Sequence, residues 1–258
     1  MPFLRRSLLV LIAFLLLSPV QLLAQNVSAG TAVHLTIGQQ AVVQNLANAS
    51  SQAWFDFAPR VGRSYCASVT FSQMSQLQAT MTQGDPRVNV FQSDGTTVVA
   101  TNDDIETEPD AILQSRACFI WPAPGGATGY IQALQSDSHA NSYDVRIIET
   151  TMFCPWFFIA GDYNAFTLIR NTTDSTVNYT INWRGWPGTI VGTGSAAIAA
   201  NGNAALNARD FVNPATTPSG SIEIVHDGSE DALKASTTTI SGTTGISFDA
   251  LFEQRRSQ

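Results

Sequence analysis

Charge is scarce in this chain. Asp, Glu, Lys and Arg make up 13% of 258 residues, and only one of the 13 basic residues, Lys234, is a lysine. With 20 acids against 13 bases and a net charge of −7, nucleic acid is a poor partner for the surface. Cysteine is equally sparse: there are three, without CxxC-type spacing, which argues against a thiolate-held metal. The three histidines, His34, His139 and His226, stand in unrelated contexts, and neither GxSxG nor HExxH is present. No catalytic constellation is legible, and the chain is expected not to be an enzyme. Helical periodicity is missing too, and after residue 24 no apolar run approaches the roughly 20 residues of a spanning helix.

What is present begins with MPFLRRSLLVLIAFLLLSPVQLLAQ, where Arg5 and Arg6 precede a leucine-rich run followed by Pro19 and Ala24. This is the pattern of a cleaved secretory signal peptide, residues 1–24. Its loss removes two arginines and takes the net charge from −7 to −9. The expected address is outside the inner membrane: periplasm, cell surface or extracellular space. The arginine-over-lysine bias fits a bacterial gene of high GC content and carries no functional information. The four N-x-S/T sequons, at Asn26, Asn48, Asn171 and Asn178, are then coincidences of a Thr-rich β protein.

The remainder alternates short β-branched and aromatic runs with Gly, Asn, Asp, Ser and Pro, which is all-β punctuation. Strands are predicted at residues 53–57, 65–71, 88–91, 118–121, 130–134 and 143–148. A second series follows MFCPWFFIAG, at 165–170, 177–183, 189–198, 204–208, 221–225, 235–240 and 246–252. The expected architecture is two β-sandwich domains in tandem, residues 25–150 and 151–258, the first jelly-roll-like. Tight hairpins are predicted at Asn201-Gly202 and Asp227-Gly228, where positive φ is tolerated. In an oxidising compartment Cys66 and Cys118, on two strand-like runs, are the expected disulfide, with Cys154 free or joined across the domain boundary.

The densest charge lies in VVATNDDIETEPDA, where Asp103, Asp104, Glu106, Glu108 and Asp110 crowd one polar loop. Upstream, Asp94-Gly95 sits between two β-forming runs. A two-residue turn there would give cross-strand partners whose numbers sum to 189, pairing Val90 with Val99 and Asp85 with Asp104. Carboxylates directly opposed repel unless compensated. Calcium, which takes six to eight oxygen ligands, is one compensation, and Asp85, Asn102, Asp104, Asp110 and backbone carbonyls supply a candidate set. Asp103 and Asp104 would both reach one ion only where the chain has left the sheet. The competing reading is a frayed hairpin whose acids point into water. A glycosidase pair is disfavoured, because one hydrophilic loop offers no apolar pocket to split two carboxyl pKa values.

The runs QAWFDFAPRVGRSYCASV, DPRVNVFQSDGTTVVATNDD, AILQSRACFIWPAPGGATGYIQA and NSYDVRIIE together resemble the bacterial pre-peptidase C-terminal domain, over about residues 35–150. The matching elements are Trp54 to Phe57, Gly62 before Tyr65, Asp85-Pro86, Asp94-Gly95, Asn102-Asp103-Asp104, Gly129-Tyr130 and Tyr143. The resemblance implies a non-catalytic, jelly-roll-like module for substrate or surface binding, bound to calcium in some relatives. Asp85, Asp103 and Asp104 are the positions carried over. The long IETEPDAIL insertion and the two cysteines depart from the pattern. More weakly, NAFTLIRNTTDSTVNYTINW followed by NARDF is similar to sensory rhodopsin transducer-like β-sandwich modules, and this transfers no residues.

Aromatic side chains supply candidate contact surface. Trp183 shares a strand face with Val177, Tyr179 and Ile181 and is expected in the core, whereas Trp186, in RGWPG, is placed at a hairpin tip as the ligand-binding candidate. Trp156 adjoins a proline near a strand end and is expected to pack one domain on the other. The favoured function is a secreted binding protein for a surface, polysaccharide or protein, its first domain stabilised by calcium. The alternative is a self-assembling structural subunit of an extracellular matrix or filament, and a hydrolase with an acidic site ranks third.

Overall fold

The computed structural model describes residues 27–46, 48, 50–71, 85–103, 114–136 and 141–254. In the first half the strands are β1 (Val33–His34), β2 (Gln40–Leu46), β3 (Gln52–Phe57), β4 (Ser64–Phe71), β5 (Pro86–Phe91), β6 (Val98–Asn102), β7 (Ser115–Ile120), β8 (Gly129–Gln135) and β9 (Asn141–Glu149). The second half contributes β10 (Met152–Phe158), β11 (Tyr163–Asn171), β12 (Val177–Arg184), β13 (Ile190–Ile198), β14 (Asn203–Asn207), β15 (Ser219–His226), β16 (Leu233–Ser241), β17 (Ser247–Leu251) and β18 (Glu253–Gln254). The fold is all-β, and no helix of the described residues is long and apolar enough to cross a membrane.

Each half is a sandwich of one five-stranded and one four-stranded sheet. The orders are β1-β3-β8-β5-β6 over β2-β9-β4-β7, and β13-β12-β15-β10-β18 over β14-β11-β16-β17. Period-2 alternation decides which face goes inside. In β11, Ala165, Thr167, Ile169 and Asn171 are buried while Phe166, Leu168 and Arg170 face out. The first core gathers Phe57, Tyr65, Phe119, Trp121, Ile131 and Tyr143 among others. The second gathers Phe157, Ile169, Ile181, Trp183, Ile222 and Ile224. Trp183 is fully buried, as the strand pattern predicts, and stacks on Phe211 at 4.5 Å.

The two expected tight hairpins are corrected. Asn201, at φ 56°, and Gly202 link β13 to β14, and Asp227-Gly228 lies between β15 and β16; each pair of strands belongs to opposite sheets. Both connections arch across the sandwich, because the inner faces of their flanking strands cover the core from opposite sides. Asn171, fully buried, anchors the first arch: its amide donates to the carbonyls of Ser175, Ile198 and Ala199.

The halves meet along a polar seam. Ser64 N donates to Thr151 Oγ1 (3.0 Å) and Thr150 N to the Ser64 carbonyl (2.8 Å). Arg63, from the loop before β4, lies over the Phe153 ring at 4.6 Å and pairs with Glu223 of β15 at 2.7 Å. Glu223, 2% exposed, also takes Arg184 at 3.2 Å. Cys66 and Cys118 oppose each other on β4 and β7 and are joined, with Cys66 Sγ 3.5 Å from the Gly228 carbonyl oxygen of the second half. Cys154 is free and buried, and that burial pushes its thiol pKa up.

Candidate functional site

The acidic end of the first sandwich differs from the expected register. Val90 pairs with Ala100 and Val88 with Asn102, so partner numbers sum to 190 rather than 189, after an irregularity between Val90 and Phe91. A two-residue turn is also absent: Gln92 N donates to the Thr97 carbonyl and Gly95 N to the Gln92 carbonyl, which makes a wider loop. The Asp94 carboxylate explains the preference. It accepts from the backbone N–H groups of Thr96 and Thr97 (2.9 and 2.8 Å) and from the Thr97 hydroxyl (2.5 Å), bonds that hold its pKa at about 2. The pairing that would set Asp85 opposite Asp104 is therefore not the register of β5 and β6.

Of the proposed calcium ligands, Asp104 and Asp110 lie outside the described residues. The other three sit at one end of the sandwich. Ser136 connects two of them, its N–H donating to the Asp85 carbonyl (2.6 Å) and its hydroxyl to Asp103 Oδ1 (3.1 Å). The Ser115 hydroxyl is shared between the Pro86 and Asp103 carbonyl oxygens. Asn102 Oδ1 accepts from Arg116 N at 3.4 Å. Among the described residues no group of three His, Cys, Asp or Glu side chains gathers around a point.

Trp186 stands out at 75% exposure on the β12–β13 hairpin. Its turn is braced from below. Gly185 N donates to the Thr189 carbonyl (2.9 Å), Gly188 N to the Gly185 carbonyl (2.6 Å), and the Arg184 guanidinium to the Gly188 carbonyl (2.9 Å). The indole N–H reaches Ser219 Oγ at 3.3 Å. Close approach of β12 to β15 needs glycine at position 220, where a Cβ would stand 1.9 Å from the Arg184 carbonyl oxygen.

Ser219 is the cross-strand partner of Phe158, and there a second group of aromatic rings begins. Trp156 stacks on Phe158 (centroids 5.9 Å, planes 19° apart), and Tyr163 lies against Phe248 (6.4 Å, 30°). The two pairs meet nearly edge to face, Phe158 on Tyr163 at 5.3 Å and Trp156 on Phe248 at 6.1 Å. Trp156 is 36% and Phe248 47% exposed. Trp156 thus packs within the second sandwich and not between the halves; Phe153 is the residue of β10 that meets the first half, through Arg63. Phe158, Tyr163 and Phe248 carry no individual mark in the sequence beyond aromatic residues next to a break in a strand.

Between the sandwiches runs a groove of about 1590 Å³, floored by Met152 and Phe153 and rimmed by Arg146, Glu149, Glu230 and Lys234. Its rim charges are of both signs, Arg146 and Glu230 lying 4.0 Å apart. His34 faces Asp56 at 2.8 Å on the surface, while His226 is buried with Nε2 3.1 Å from the Thr150 carbonyl oxygen. Burial lowers the His226 pKa below its ordinary 6.5.

No protein-family model matches the chain, and no curated protein matches it. Among solved structures it is similar to the pre-peptidase C-terminal domain of a collagenase from Bacillus anthracis, at 11% identity, 45% coverage of this chain and 93% of that one, with a TM-score of 0.33. It is also similar to the N-terminal CBM22-1-CBM22-2 tandem domain of Xyn10C from Paenibacillus barcinonensis, at 9% identity, 84% and 86% coverage and a TM-score of 0.25. Neither likeness is close enough to transfer a site or an activity. The similarity to sensory rhodopsin transducer modules has no support from these comparisons.

Proposed function

We propose that this is an exported, non-catalytic binding protein that presents the second sandwich to a surface, polysaccharide or protein. One observation carries the reading: Trp186 leaves most of a large apolar ring in water on a turn held by four hydrogen bonds, including its own indole bond. A rigid aromatic anchor loses little conformational freedom on contact. The test is retention of residues 25–258 on immobilised polysaccharides, collagen-like protein and whole cells; passage through all three without delay defeats the proposal.

Calcium at the acidic end of the first sandwich is part of the same proposal. It is favoured by Ser136 and Ser115 drawing the Asp85 backbone and Asp103 to one place. Asn102, Asp104 and Asp110 are the further ligands proposed there. A structural role in an assembly has its own observation: Phe166, Leu168, Ile240 and Leu251 are apolar and exposed on strands of one sheet. Light scattering distinguishes the two readings, since concentration-dependent growth of particle mass favours assembly and a constant monomer mass favours a binding module.

A further inference from the structure

Two aromatic features, separated in sequence, are adjacent on the second sandwich. Trp186 bonds Ser219, Ser219 pairs with Phe158, and Phe158 opens the group completed by Trp156, Tyr163 and Phe248. We propose that these five residues form one continuous strip that binds an uncharged polysaccharide along the C–H faces of its sugar rings. The proposal rests on the binding reading above and names its ligand class.

The geometry suits a chain molecule more than a compact one. Trp186 projects from the end of β12, and β15 separates that strand from β10, which carries Phe158. Strands spaced at about 4.8 Å therefore set the tryptophan and the phenylalanine on the order of 10 Å apart across the sheet, and the other three rings extend the strip toward β17. Three exposed rings, Trp186, Trp156 and Phe248, backed by the half-buried Phe158 and Tyr163, offer repeated flat contacts to a repeating partner.

Charge selects the class. Three ionised groups that brace the strip already spend their hydrogen bonds within the protein. Asp162, beside Tyr163, accepts from the Ser241 hydroxyl (2.6 Å) and Thr243 N (2.9 Å). Arg209 donates to the carbonyls of Ile159 (2.8 Å), Gly161 (2.7 Å) and Tyr163 (2.8 Å). Arg184 is held by Gly188 and Glu223. A polyanion would find no uncommitted cation among these three, and a polycation no uncommitted carboxylate. Polar groups near the strip, Ser219 and Thr217, are hydroxyls, suited to exchange hydrogen bonds with sugar hydroxyls. A strip of neutral character fits a neutral polymer.

The experiment is affinity gel electrophoresis of the full exported chain through cellulose derivatives without charge, glucomannan, alginate and gelatin, with wild type, Trp186→Ala, Trp156→Ala and Leu168→Ala. Leu168 is exposed on the outward side of β11, the side opposite to that of Tyr163 by period-2 alternation, and serves as the control. Expected is retardation by a neutral glycan, weakened at least about tenfold by either tryptophan change, as for loss of an aromatic anchor, and unaltered by Leu168→Ala. Protection of wild-type tryptophan fluorescence from acrylamide quenching by the same glycan gives a readout that needs no variant to fold. Neutral-glycan retardation that both tryptophan variants keep overturns the strip and leaves the binding function standing. Retardation by alginate or gelatin alone overturns the ligand class and again leaves that function. Free passage of wild type through all four overturns the strip and its ligand class, and, joined by no retention on whole cells, the binding function too.

Discussion

Replacing Glu223 with glutamine preserves its volume and removes its charge. In the native fold the carboxylate, 2% exposed, sits between Arg63 at 2.7 Å and Arg184 at 3.2 Å, which are 17% and 27% exposed. Breaking a fully buried ion pair costs roughly 3–5 kcal/mol; the arginines here keep part of their hydration, so about 2–4 kcal/mol is expected. With a urea dependence of about 2 kcal/mol per molar, the midpoint should fall by roughly 1–2 M. Tryptophan fluorescence in urea at pH 7 measures it. Arg63→Met separates the two contributions, because Arg184 and Glu223 are cross-strand neighbours within one sheet while Arg63 comes from the other half. That variant should leave the second sandwich's own transition in place and part it from the first. A Glu223→Gln midpoint within about 0.3 M of wild type, together with a coupling to Arg63→Met below about 0.5 kcal/mol, refutes the view that this carboxylate ties the halves together.

Cys66 and Cys118 are 52 residues apart, so replacing both with alanine releases a loop whose closure is worth up to about 4 kcal/mol; thermal melting of the double variant should show a lowered midpoint, matched by reduced wild type. His226 has a folded pKa below its ordinary 6.5, so the stability it contributes is whole above that value and drains as pH falls beneath it, at no more than about 1.4 kcal/mol per pH unit. Urea midpoints measured from pH 7.5 to 5 should decline in wild type and flatten in His226→Gln. Asp94 and Asp162, both held at about 2, add a further loss only in strong acid, as pH falls from 3.8 through that value. If calcium occupies the acidic end of the first sandwich, melting with the ion and with chelator will give different midpoints, and Asp103→Asn will remove the difference.

Much of the fold is written in alternation. The run predicted at 165–170 lies inside β11 and that at 177–183 inside β12, where burial alternates along β11 and along the first part of β12; that at 53–57 lies inside β3, where Ala53, Trp54 and Phe55 are all buried. Period 2 reports a face and not a partner. Asn201-Gly202 and Asp227-Gly228 therefore looked like hairpins although their strands join opposite sheets. The β5–β6 register slipped by one because a single unpaired residue leaves no mark in composition, and because the Asp94 side chain, bonded to its own loop, chose the wider turn. Trp186 was legible from its flanking glycines. The rest of the strip was not, since Phe158, Tyr163 and Phe248 come from three strands and meet only after the sheets have closed.

The arches across the second sandwich also bear on how fast it can form. β11 has β14 and β16 as neighbours, and β10 has β15 and β18. Each sheet has one local hairpin, β12–β13 and β16–β17, but the central pairings are distant: Thr167 of β11 meets Thr237 of β16 across 70 residues. Folds dominated by such distant pairings fold in milliseconds to seconds, far more slowly than helical bundles. A chain emerging from its amino end cannot complete β11 until β16 has been made. The two hairpins can form early, but β10 and β11 stay without their main partners until β15 and β16 are available, so the sandwich closes only when nearly the whole second half is present.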